Sequence, residues 1–155
     1  MAEKINEDPE TNQILRIIFI PNYNASKEHI VVPAADFNEQ ISLPGEEACT
    51  TISEKFILNG SLIIGSKDST NNHIAKEVGP ESIFLFGPDY EQTMRIKSLS
   101  KEEKAKLICP EFKDVVTQIE NGEFGQCHPI ILEIFHSICE GNDTFLQGID
   151  FKSYI

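Results

Sequence analysis

The chain has 155 residues, with 13 Lys and Arg against 25 Asp and Glu, which gives a formal net charge of −12 at pH 7. A hydrophobic fraction of 40% excludes a wholly disordered chain, and the length suits one domain over residues 1–155. The excess of acidic residues disfavours nucleic acid and anionic membranes as partners. The few Lys and Arg residues also do not cluster into a basic stripe that could bind such partners.

The N-terminal residues 1–8 are acidic and lack the apolar stretch of a signal peptide. No apolar run approaches the roughly 20 residues that a membrane span needs. We therefore expect a cytoplasmic protein without a membrane partner. In that compartment free thiols are expected at the four widely spaced cysteines, which are Cys49, Cys109, Cys127 and Cys139.

Strands and helices alternate through the first half of the chain. Residues 14–20 form a near-continuous apolar run, ILRIIFI, which predicts a strand covered on both faces. Further strands are predicted near 39–42, 61–65 and 82–86, and helices over 26–32 (with Ser26 as N-cap), 51–58 and 71–78. This succession predicts an α/β fold with a small, four-stranded parallel sheet and flanking helices, a partial doubly wound, Rossmann-like lobe.

The second half is predicted to be mostly helical. Charged and amphipathic patterns favour helices over residues 91–107, 110–120 and 129–139, and the aromatic residues within 143–155 favour packing of that segment onto the body. No linker divides the chain. Because parallel sheets are normally covered and an apolar edge strand favours association, we expect the edge to take a complementary polypeptide or a second copy, unless the chain is a piece of a larger fold.

One set of metal ligands can be assembled from the sequence. Cys127, His128, His136 and Cys139 include residue types that bind zinc, and His136 and Cys139 share a helix face. Their spacing matches no strong zinc pattern, however, and Cys139 fits equally well as a small buried apolar residue. We therefore predict no metal site.

Several ordered segments resemble one known family. They include IFIPNYN at residues 18–24, VPAADFNEQIS at 32–42, GEEAC at 45–49, KFILNGSLIIG at 55–65 and IAKEVG at 74–79, with weaker agreement over 83–87, 110–113 and 150–155. These segments resemble the C-terminal half of the glycogen/starch (α-glucan) phosphorylases. The resemblance implies cleavage of α-1,4-glucans by inorganic phosphate to glucose 1-phosphate, with pyridoxal phosphate held as a Schiff base on a lysine and its 5′-phosphate relaying a proton.

The resemblance assigns roles to individual residues. The family motif reads Glu-Ala-Ser-Gly-Thr-Gly-Asn-Met-Lys-Phe, and this chain has EACTTISEKF at residues 47–56. Lys55 therefore corresponds to the Schiff-base lysine and Glu47 to the acid that holds sugar hydroxyls. Thr51 corresponds to a threonine at the cofactor phosphate, and Tyr23 to a tyrosine of the cofactor pocket. Without a cofactor, Lys55 would be an ordinary surface lysine, Thr51 a helix N-cap and Glu47 a solvated carboxylate.

The motif also departs from the family. Thr50 and Ile52 replace two glycines whose bare backbone would approach a phosphate, and Glu54 adds a negative charge nearby. Asn24 replaces an arginine, and the family's N-terminal lobe has no counterpart. The sequence therefore predicts a truncated phosphorylase relative that is not catalytic alone and acts as a binding or interaction module, with a glucan as a possible ligand. The alternatives are a pyridoxal-phosphate-binding half-enzyme completed by another chain, and a degenerate fragment.

Overall fold

The computed structural model describes residues 2–46 and 51–155. Its helices and strands, in chain order, are α1 Ala2–Glu7, α2 Ala25–Ala34, β1 Phe37–Gln40, α3 Thr51–Leu58, β2 Leu62–Ser66, α4 Ser69–Val78, β3 Phe84–Phe86, α5 Tyr90–Lys97, α6 Lys101–Leu107, α7 Pro110–Glu120, α8 Pro129–Cys139 and α9 Gln147–Tyr154. Single 3₁₀ turns at Thr11–Gln13 and Pro80–Ser82 complete the set.

The described strands form one parallel sheet in the order β1-β2-β3. Glu39 is level with Ile64, and Ile64 is level with Phe84, so these three side chains share one face of the sheet. The helices α3 and α4 connect successive strands, as parallel pairing requires. The predicted fold class, a small parallel sheet with flanking helices and a mostly helical remainder, is confirmed.

The predicted strand over residues 14–20 is wrong. The structure places this segment outside the sheet, with Ile14 91% and Phe19 85% exposed, so the sheet of the described residues has three strands instead of four. The backbone of Ile17 pairs with the side chain of Asn6 instead of with a strand. An apolar run forms a buried strand only where other elements cover both of its faces, and the described part of the chain supplies no such cover here.

Helix α2 differs from its prediction at both ends. Asn24, and not Ser26, is the N-cap, because its side chain accepts hydrogen bonds from the backbone N–H groups of Ser26 and Lys27. The helix then continues through Pro33 to Ala34. A proline in the last turn removes a single helical hydrogen bond, so it does not end the helix at the residue before it.

The predicted helix over residues 91–107 is two helices. Ser100 begins α6 with a capping box, in which its hydroxyl accepts from Glu103 N–H and the Glu103 side chain accepts from Ser100 N–H. A serine that caps a new helix interrupts the preceding one, and α5 accordingly ends at Lys97. The predicted boundaries agree with the structure for α3, α7 and α8 and lie within two residues for α4, β1, β2 and β3. Helices α1 and α9 were not predicted as helices.

The core of the helical half lies between α7, α8 and α9. The ring of Phe112 on α7 lies 6.4 Å from Phe135 on α8 and 5.7 Å from Phe151 on α9, in both cases edge to face. Helix α9 also reaches the sheet, where Tyr154 donates a hydrogen bond of 2.6 Å to Glu39. The prediction that the segment 143–155 packs onto the body is therefore confirmed.

Candidate cofactor site

Lys55 lies in the second turn of α3 and pairs with an acidic residue of α2. Its Nζ is 2.6 Å from Glu28 Oε1, and the lysine side chain is 54% exposed. The helix ends just beyond it, where Asn59 donates from its side chain to the carbonyl of Lys55 and Gly60 adopts a φ of +92°. These contacts hold Lys55 at the surface between two helices, with its ammonium paired to a carboxylate.

A cavity of about 380 Å³ surrounds this ion pair. Both helices line it, α2 through Glu28, His29 and Pro33 among others, and α3 through Lys55. No sequence motif indicated Glu28, because Glu28 and Lys55 are distant along the chain and only the packing of α2 on α3 brings them together. The cavity therefore combines one predicted site residue with acidic and imidazole neighbours that no motif indicated.

The other predicted cofactor residues do not line this cavity in the part of the chain that the structure describes. Tyr23 is half exposed and precedes α2, and its neighbour Asn24 caps that helix. Thr51 is the first residue of α3, and its assignments to the cofactor phosphate or to the helix cap stay predictions. Glu47 and Cys49 lie outside the described residues, and the assignment of Glu47 to sugar hydroxyls stays a prediction.

The described lining does not fit the phosphate group of pyridoxal phosphate. A phosphate dianion requires several cations or backbone N–H donors around it. Among the residues described around this cavity, Lys55 is the one Lys or Arg, and the Glu28 carboxylate already pairs with it. A dianion placed here would meet that carboxylate at close range. We therefore derive no chemical step through the cofactor.

The cysteine and histidine residues of the second half have separate contacts in the structure. No group of three or more His, Cys, Asp or Glu that could hold a metal occurs within residues 2–46 and 51–155. His128 accepts from Ile130 N–H, and His136 lies 3.6 Å from Glu120. Three cysteines of the described chain are free thiols, namely Cys109, Cys127 and Cys139, and burial raises the pKa of the Cys139 thiol.

Comparison with known proteins places the whole sequence in one family. The family model described as carbohydrate phosphorylase matches residues 1–155. The chain belongs to the carbohydrate phosphorylase family. Its similarity to glycogen phosphorylase 2 of Dictyostelium discoideum is 35% identity over all of this chain and 15% of that protein. The corresponding values are 36% identity and 19% of the protein for the cytosolic alpha-glucan phosphorylase 2 of Arabidopsis thaliana, and 35% and 18% for the liver form of human glycogen phosphorylase.

The relationship to the phosphorylases confirms the resemblance found in the sequence. This phosphorylase chain spans less than a fifth of the length of those three relatives. The match to each of them covers the full chain, including the segment around Lys55. Within the described ranges, none of its helices has the length and apolar character needed to cross a membrane.

Proposed function

We propose that this phosphorylase-family chain does not catalyse phosphorolysis by itself and acts as a binding or interaction module. The observation that supports the proposal is the Lys55–Glu28 ion pair, at 2.6 Å, in a cavity whose described lining contains no second Lys or Arg. A lysine forms a Schiff base only as the neutral amine, whereas a carboxylate in contact favours the ammonium. The contact with Glu28 therefore opposes Schiff-base formation at the cofactor position.

Phosphorolysis makes further demands on a site. Phosphate, sugar and cofactor must be held together, and cationic groups must be oriented toward the negative charge that they carry. The net charge of −12 works against the collection of such anions. Both considerations favour a chain that binds a partner or a glucan over a chain that turns over substrate.

Cofactor capture tests this proposal. The purified chain is incubated with pyridoxal phosphate, reduced with borohydride and mapped by peptide mass, and the yield at Lys55 is compared with the yield at other exposed lysines such as Lys106. We expect labelling at Lys55 to be no greater than at Lys106. Near-stoichiometric labelling confined to Lys55, or glucose 1-phosphate released from glycogen by the chain and abolished in Lys55→Ala, would contradict the proposal.

A second candidate function is a half-enzyme completed by another polypeptide. The exposed apolar segment 14–20 favours it, together with the outer edge of β1, which has no neighbouring strand among the described residues. The partner would be a complementary chain or a second copy. The chain would hold pyridoxal phosphate on Lys55 and contribute to phosphorolysis only in that complex. Cofactor capture with selective labelling at Lys55 would favour this candidate, and a chain without a cooperative unfolding transition would instead be a degenerate fragment.

We also propose a cytoplasmic location. One of the relatives is itself named as a cytosolic form, which supports the proposal. Fractionation of cells that express the full gene product tests the location. Recovery with an organelle or membrane fraction would contradict it.

A further inference from the structure

A second, smaller cavity lies between α9 and the sheet. Its volume is about 150 Å³, and its lining includes Glu39 and Ile41 of the β1 region, Phe86 of β3, and Asp150, Phe151 and Tyr154 of α9. It shares no described lining residue with the cavity at Lys55. The position is the carboxyl end of parallel strands, where open α/β sheets commonly bind ligands.

Asp150 is the unusual group of this cavity. Asp150 is only 8% exposed, and its side-chain oxygen Oδ1 has no hydrogen-bond partner. The preceding acid, Asp143, is also buried but accepts three backbone N–H groups from the first turn of α9, those of Gln147, Gly148 and Ile149. Buried carboxylate oxygens are normally satisfied as Asp143 is, so the free acceptor on Asp150 indicates a missing donor.

The remaining polar groups around the cavity are already engaged or negatively charged. Tyr154 donates its hydroxyl to Glu39, and the Gln147 side chain donates to the carbonyl of Phe145. The described lining contains no Lys, Arg or His. The described lining is therefore acidic, through Asp150 and Glu39, and a ligand of this cavity must bring N–H or O–H donors and, by charge, a cation.

Aromatic rings form the apolar part of the wall. The rings of Phe86 and Tyr154 meet edge to face with centroids 5.2 Å apart, and Phe151 lines the same space. Aromatic faces attract organic cations and pack against their carbon chains. A carboxylate together with such rings is the combination that recognises an alkylammonium.

We propose that this cavity binds a small aliphatic primary amine as its ammonium, which donates to Asp150 while its carbon chain packs against Phe86 and Phe151. The function goes beyond the module proposed above, since neither Lys55 nor the phosphorylase motif takes part. A volume of about 150 Å³ is too small to enclose a nucleotide or an oligosaccharide. A failed test here leaves the proposal about Lys55 unchanged.

The pH dependence of binding follows from the surroundings of Asp150. Burial, assisted by the negative charge of Asp143, raises the pKa of Asp150 to about 7. The titratable groups that line the cavity besides Asp150 are Glu39 from β1 and Tyr154 from α9, and the hydrogen bond to Glu39 raises the pKa of that tyrosine. An ammonium requires the ionised carboxylate, so binding strengthens as pH rises from 6 to 8.

The test uses n-butylammonium as the probe and titration calorimetry as the readout. We expect one saturable site in the wild-type chain at pH 8, with affinity at least about tenfold weaker in Asp150→Asn and unchanged in Asp114→Asn, which removes the same charge from the exposed face of α7. Butan-1-ol, a neutral molecule of similar shape, should bind at least about tenfold more weakly. Binding retained in Asp150→Asn, or butan-1-ol as tight as the ammonium, would overturn the proposal.

A measurement on the wild-type chain tests the proposal even if Asp150→Asn fails to fold. Wild-type affinity for n-butylammonium should be several-fold weaker at pH 6 than at pH 8, since protonation of Asp150 competes with the ligand. An affinity that is equal at the two pH values would overturn the proposal without any substitution.

Discussion

The amine of Lys55 occupies the sequence position of a cofactor lysine, and its neighbour Glu28 determines what it can do. The carboxylate comes from α2, so the restraint on the lysine lies in the packing of two helices and not in the motif itself. Replacing Glu28 therefore isolates the effect of the ion pair from the effect of the altered motif around it.

We predict that Glu28→Gln increases borohydride-trapped labelling of Lys55 by pyridoxal phosphate by about two- to fivefold, because loss of the carboxylate favours the neutral amine. Peptide mass mapping measures the yield. The matched control is Glu140→Gln, which breaks the surface ion pair between Lys101 and Glu140 at 3.0 Å. Unchanged labelling at Lys55 would show that the ion pair does not limit its reactivity.

The buried carboxyl of Asp150 provides the second prediction at this scale. Its pKa of about 7 in the folded chain lies above its ordinary value of 3.8, so the folded state holds a proton that the unfolded state releases between these pH values. The contribution of this group to the free energy of unfolding therefore falls as pH rises from about 4 to 7.

We predict that Asp150→Asn, which cannot ionise, has nearly wild-type stability at pH 4 and is more stable than the wild type by about 1–3 kcal/mol at pH 8. Urea denaturation at the two pH values measures the difference. Asp114→Asn, on an exposed part of α7, should show no such trend. A difference that is constant with pH would refute the assigned titration.

At the scale of secondary-structure elements, the first turn of α9 is stabilised by an acidic residue that precedes the helix. Asp143 precedes the helix by several residues and accepts from the N–H groups of Gln147, Gly148 and Ile149, at 2.8, 2.8 and 3.3 Å. The residue between them, Leu146, is fully buried in the left-handed conformation, with a φ of +56°. The loop can hold this conformation because Asp143 satisfies the first turn of the helix.

We predict that Asp143→Ala lowers the free energy of unfolding by about 1–3 kcal/mol, because three backbone donors of the first turn, that of Gly148 buried, lose their acceptor. Urea denaturation at pH 7 measures the loss. Thr144→Ala, at the exposed neighbouring position, serves as the control and should change stability by less than about 0.5 kcal/mol. Equal stability of the two variants would show that Asp143 does not support α9.

Local signals account for the elements that were predicted correctly. Helices α7 and α8 each begin at a proline in the first turn and have an apolar stripe of helical period, and α3 ends at a glycine with positive φ. The apolar run at 14–20 carried an equally strong strand signal and failed, because a strand in a parallel sheet depends on neighbours that the run does not encode. The conformation of such a segment is therefore determined by its tertiary contacts.

The same distinction applies to the two cavities. Lys55 could be found from the sequence because a motif of ten residues marks it. Glu28 beside Lys55, and Glu39 near Asp150, could not be found, since each pair is formed by elements far apart in the chain. Sequence patterns indicate a residue with reactive potential, and the packing of the elements determines the groups that surround it.

At the scale of the whole molecule, segment 14–20 is the main stretch of exposed apolar residues in the described chain. Ile14 and Phe19 lie almost wholly in solvent, and single exposed apolar residues of this size are common, but a continuous run is not. Among the described residues, β1 is an edge strand with β2 as its one neighbour, and an edge strand favours pairing with a further strand. Both features favour association of the chain.

We predict that the apparent mass of the chain in sedimentation equilibrium rises above 17.4 kDa with concentration. Phe19→Asp should weaken this association at least about tenfold, since it places a charge within the apolar segment. Leu58→Asp is the matched control, because Leu58 is also 85% exposed and the change in charge is identical. A mass independent of concentration would contradict self-association and leave a complementary polypeptide as the partner.

The last turn of α9 connects the helical half to the sheet through two neighbouring side chains. Ser153 accepts from Gly87 N–H at 2.9 Å, and Tyr154 donates to Glu39. Cleavage by trypsin after Lys152 would remove both contacts in one event. Amide hydrogen exchange would then accelerate in β3 while α7 and α8 keep their protection, so a single nick would separate one cooperative unit into two.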